Sequence, residues 1–240
     1  MRALVQGEMI KVRTTRTALG FAAAAILLVV AVVLITILAG DPETVNDKRD
    51  ALNVGGALSV PLLLFGIVGA TGEFRHRTIA PAVLIAPDRF RLTLARLLAY
   101  AFTALLVGIG MVVVALVLGL PLLSGQPGPD LDGGDYTRVA VGGVLAATLC
   151  AALGVGVGVL VRNQVAGVVG ALVWVFILEP LSGVIDEDLL GYTITQAAAG
   201  VGGSETDESL SFGGSLAVLA VWAAVFVIAG LLVDRRRDVD

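Results

Sequence analysis

Glu73-Phe74-Arg75-His76-Arg77-Thr78-Ile79-Ala80-Pro81-Ala82-Val83-Leu84-Ile85-Ala86-Pro87-Asp88-Arg89-Phe90-Arg91-Leu92-Thr93-Leu94-Ala95-Arg96 is the stretch from which the rest of the chain is read. Arg75, Arg77, Arg89, Arg91 and Arg96, with His76, Pro81 and Pro87, interrupt a sequence that is otherwise apolar. Runs long enough to cross a bilayer flank it on both sides. A basic, proline-punctuated segment between two such runs faces the cytoplasm by the positive-inside rule.

Composition places the chain in a lipid environment. It is 57% hydrophobic and 15% charged, with a mean hydropathy of +0.95. Soluble domains carry about 25% charged residues. Six apolar runs follow one another at about residues 18–39, 52–72, 97–120, 139–161, 165–183 and 214–233. The first, at 1.5 Å rise per residue, is about 33 Å long, enough for a hydrocarbon core of about 30 Å. It is longer than the h-region of a signal peptide and is read as a retained span. Residues 1–16 carry Arg2, Lys11, Arg13 and Arg16, with Leu4, Val5, Met9 and Val12 at helical spacing. They predict an amphipathic helix on the inner membrane surface.

The net charge of −4 conceals a segregation of signs. Thirteen of the 16 basic residues fall at the termini, in residues 73–96, or at Arg162, and only Lys48, Arg49 and Arg138 fall on the other side. Such asymmetry puts both termini in the cytoplasm and requires an even number of spans. The external connections are then residues 40–51, the turn-rich 121–138, and the acidic 184–213. The fold class expected is all-α: one transmembrane domain of six helices, with an N-terminal interfacial helix and a short cytoplasmic helix between the second and third spans.

Most catalytic chemistry is excluded by what the sequence lacks. There is no G-x-x-x-x-G-K-[ST] loop, no H-E-x-x-H and no G-x-S-x-G elbow. His76 has no co-ligand pattern and reads as a solvated loop residue, and Cys150 reads as a small buried apolar one. No metal site, no nucleic-acid contact and no cofactor held by this chain are expected. Gly154 and Gly158, spaced i, i+4 within a span, predict close helix–helix packing or a subunit contact. Glu179, followed by Pro180, is the only acid inside a span; it reads either as an interfacial acid at a helix end or as a group lining a substrate path.

Within the opening stretch, Thr78 can cap a short helix that tolerates Pro81 in its first turn, Pro87 ends it, and Asp88 caps the next span. Glu73 ends the second span, where the helix dipole disfavours an acid, so a cationic neighbour is expected from Arg75, Arg77 or Arg96. The result is a helical knob at about 79–86 presenting Val83, Leu84 and Ile85. The residues alone leave two readings open: a docking knob for a soluble partner, or a loop binding anionic lipid.

Gly72-Glu73-x-x-x-x-Thr78, then Leu84-x-x-Pro87-x-Arg89 and Arg96, resembles the segment after the second span of ABC type-2 transporter permeases. Glu8-x-x-Lys11 ahead of the first span is similar to their N-terminal element. Arg77 stands where that family often has glycine, and Arg96 where it often has lysine. The resemblance implies that Glu73, Arg75, Arg77, Thr78, Val83, Leu84, Ile85, Pro87 and Arg89 form a coupling segment docking on a separate ATP-binding subunit. ATP and magnesium would be held by that partner. It further implies a second permease copy, export across a bacterial plasma membrane, and short re-entrant helices within about 189–201. The rivals are a membrane anchor or sensor subunit and, with less support, a membrane-embedded enzyme.

Overall fold

The computed structural model describes residues 1–75, 89–206 and 209–236, without the side chains of Arg16, Glu73, Phe74, Arg75, Arg89, Arg235 and Arg236. Every regular element among them is helical. Six helical stretches are long and apolar enough to cross a membrane: Thr17–Ala39, Val45–Gly72, Phe90–Leu123, Gly133–Val161, Gln164–Ile185 and Phe212–Asp234. By its described residues the chain is an all-α, multi-pass membrane protein with six such stretches.

In chain order the elements are α1 (Arg2–Thr14), α2 (Arg16–Ala39), α3 (Val45–Ala51), α4 (Val54–Arg75), α5 (Arg89–Leu123), α6 (Gly133–Val161), α7 (Gln164–Val173), a π turn (Trp174–Leu178), α8 (Glu179–Ile185), a 3-10 turn (Glu187–Tyr192), α9 (Ile194–Val201) and α10 (Phe212–Arg236). The ends of α4, α6 and α10 and the start of α5 lie at one end of the bundle beside α1, here the terminal end. The 3-10 turn, α3 and α9 lie at the opposite, loop end.

The spans holding α4 and α6 are 67% and 56% buried, against 17 to 28% for the others, so these two form the core. Glycine makes their approach close. A Cβ at Gly154 would strike the Leu63 carbonyl, one at Gly66 the Ala151 carbonyl, and one at Gly158 would come within 2.7 Å of the Ala70 side chain. Without a hydrophobic drive between helices in lipid, such backbone contact is what holds them together. Gly156, on another side of α6, seats α10: a Cβ there would lie 2.6 Å from the Phe226 backbone. Gly154 and Gly158 are thus buried against α4 of the same chain.

Several boundaries differ from the hydropathy reading. Helix α5 begins at Arg89 rather than near 97 and carries Pro121 within its last turn. Helix α6 begins at Gly133, because Asp132 and Asp135 form a reciprocal capping box (Asp135 N to Asp132 Oδ1 2.8 Å, Asp132 N to Asp135 Oδ2 2.9 Å), so Tyr136 to Arg138 are helical and not loop. Helix α10 runs through Asp234 to Arg236, beyond the end of the apolar run at 233. In each case hydropathy marks the hydrocarbon thickness and the helix extends past it; at α6 it reaches back to the cap at Asp132, which satisfies its first backbone donors. The connection at 40–51 holds α3, started by a second capping box between Thr44 and Asp47. Helix α4 passes unbroken through Pro61.

Candidate functional site: two polar layers and a buried carboxylate

At the terminal end, polar side chains join five helices. Glu8 of α1 is buried, with Lys11 Nζ donating to its Oε1 at 2.7 Å and Arg96 Nε 3.9 Å from its Oε2. Arg96 also donates to the Ala70 carbonyl of α4 at 3.3 Å. One turn earlier on α5, the Thr93 hydroxyl donates to Asp234 Oδ2 of α10 at 2.8 Å, and Arg162 donates to Asp234 Oδ1 at 2.8 Å. Arg162 closes α6 in the left-handed conformation (φ 55), which turns the chain into α7, where the Asn163 side chain accepts from Ala166 N. The start of α5 is thereby tied to α1, α4, α6 and α10 at once. Segment 76–88 joins α4 to α5 at this same end.

The loop end carries a second layer. Arg49 of α3 donates to Asp135 of α6 at 2.7 Å and lies 3.0 Å from Glu205 Oε2; Arg138 donates to the other Glu205 oxygen and lies over the Phe212 ring at 5.9 Å. Lys48, only 1% exposed, donates to the Pro129 carbonyl at 3.0 Å with Asp130 3.9 Å away. These are the three basic residues that the charge asymmetry left on the minority side, and all are matched by acids. The hydrogen bond from Arg138, aided by the charges of Arg138 and Arg49, holds the Glu205 carboxyl below the ordinary range despite some desolvation.

Glu179 opens α8 directly after the π turn, with Pro180 behind it. Proline has no N–H for the helical ladder, and a widened turn is one way to absorb the loss. The carboxylate is buried and accepts from Trp174 Nε1 at 3.1 Å, Ile194 N at 3.0 Å, Thr195 N at 3.3 Å and the Thr195 hydroxyl. An anion therefore sits on the first N–H groups of α9, where orphan donors and the helix dipole favour it. Glu179 also borders a cleft of about 350 Å³ with Pro180, Val184, Thr193 and Gln196. Helix α9 is buried between α4, α6 and α10, and Asn53 pins it by donating to Ala199 O at 3.0 Å while accepting from Gly56 N. The connection expected to hold short helices thus holds the 3-10 turn and α9.

Arg77, Thr78, Val83, Leu84, Ile85 and Pro87, the expected knob at 79–86 and the expected cap at Asp88 lie outside the described residues, as does His76. Glu73, Arg75 and Arg89 are placed on helix ends by backbone only. No cluster of three metal-ligating side chains occurs among the described residues. Asp135, Thr93, Asp234 and Asn53 were not singled out from the sequence. Only the Asp132-x-x-Asp135 spacing, a capping signature, offered a local signal. Comparison with family models and with curated proteins finds no match to this chain.

Proposed function

We propose that the chain is the membrane-spanning permease of an ATP-driven exporter, with segment 73–96 as the lever on which a separate ATPase subunit acts. The observation that carries this reading is the meeting of Glu8 with Arg96. These residues belong to the two stretches that resemble ABC type-2 permeases, and they come together beside the end of α4 and the start of α5. A push on that segment would reach α4 through its end and α1, α6 and α10 through Arg96 and Thr93. The sequence holds no P-loop, which accords with hydrolysis on a partner. Two copies of this chain with two ATPases, both termini in the cytoplasm of a bacterial cell, complete the proposal.

The test is co-expression with the P-loop ATPase encoded nearest to this chain. Copurification is expected, and Leu84→Asp is expected to abolish it while membrane insertion is unchanged. Unaltered copurification by that variant would refute the knob. Labelling of residues 73–96 from outside intact cells would remove the lever altogether.

A further inference from the structure

An apolar groove of about 300 Å³ opens where α1 turns into α2, across from α4 and α5. Its floor is Phe21, Leu62, Phe65 and Val107, with Phe21 and Phe65 packed edge to face at 5.7 Å. Ala18 and Ala22 form the α2 wall, and their small side chains leave the space that leucines at neighbouring positions would fill. The volume falls at the low end of small-molecule sites. Arg13 stands at the rim, exposed. It makes no hydrogen bond or ion pair with another described residue, in contrast to Lys11, which Glu8 engages. Beside it on α1, the buried Val12 faces the groove.

An apolar slot within a membrane helix bundle, with a free guanidinium at its mouth and near the headgroup level, matches one chemistry: a long hydrocarbon chain ending in an anion. We propose that this groove holds one acyl chain of an anionic phospholipid, with the phosphate on Arg13. The site does not depend on the transport reading, since it needs only the bundle and the bilayer. Bound lipid would fasten α1 to α2, α4 and α5 beside the Glu8–Arg96 contact.

The full chain, purified in mild detergent, would be titrated with phosphatidylglycerol and with phosphatidylcholine and read by native mass spectrometry. One phosphatidylglycerol per chain is expected, with about fivefold preference over phosphatidylcholine from Arg13. Arg13→Gln should erase the preference while lipid still binds. Ala22→Phe should exclude both lipids, and Ala18→Leu, a smaller intrusion, gives the same reading should Ala22→Phe not fold. Retained preference in Arg13→Gln, or unchanged binding in both filling variants, overturns the site. A dimer peak lost on filling the groove would assign it to a second copy and equally overturn the proposal.

Discussion

Glu8 and Arg96, eighty-eight positions apart, face each other across 3.9 Å with side chains only 6% and 4% exposed. Two opposite charges withdrawn from water support each other, since removing one leaves the other desolvated with one counter-charge fewer. Glu8→Gln is expected to cost about 2 kcal/mol, less than a fully isolated pair, because Arg96 keeps the Ala70 carbonyl. Cys150 provides the readout. It is the only cysteine and is fully buried, so a thiol-reactive fluorophore should label it only on unfolding, and the labelling midpoint should fall in this variant.

Glu179 serves α9 before it serves any substrate. Glu179→Ala orphans the donors of Trp174, Ile194 and Thr195 and is expected to cost about 1–3 kcal/mol. Glu179→Gln keeps one acceptor oxygen and should lie between that variant and the wild type. The reverse order in the thiol-labelling midpoints would contradict the capping role.

The glycines of the α4–α6 seam permit a graded comparison. Gly154→Ala drives a methyl into the Leu63 carbonyl and is expected to destabilise by about 1–3 kcal/mol. Gly170→Ala on α7, outside that seam, where an added methyl would meet nothing beyond its own helix backbone, should be close to neutral. Equal effects from the two would mean that the helices do not touch as described.

Glu205 makes the loop end sensitive to acid. Its folded carboxyl titrates below the unfolded value of about 4.3, so its contribution is complete above that pH and disappears as pH falls through the lower folded value. Unfolding midpoints measured from neutral pH downward should decline more steeply for the wild type than for Glu205→Gln across that acid window. Added salt should narrow the gap between them, because the carboxylate is partly exposed.

Asp234 gathers the ends of α5, α6 and α10. A double-mutant cycle on Thr93→Val and Asp234→Ala should yield a coupling of about 1 kcal/mol, the usual size of a side-chain hydrogen bond. Additive effects would show that the two residues do not interact.

Much of this architecture is legible in one dimension. A bilayer has a set thickness, so each crossing needs an apolar run of matching length, and six such runs can be counted directly. The sorting of basic residues likewise follows from a rule that acts along the chain. Helix ends were read less well: Asp132 and Asp135 start α6 well before its apolar run, and Thr93 and Arg96 stand on a helix already under way at Arg89.

Hydropathy and charge order in the sequence determined the number of crossings, the all-helical class and the polarised distribution of cations. Only the tertiary structure decided what each polar group answers to: Arg49 to Asp135, Glu8 to Arg96, Thr93 and Arg162 to Asp234, and Glu179 to the first turn of α9. Chain position carries no information about such pairings, because a charge leaving water is held by whichever opposite group the packed helices bring within a few ångströms.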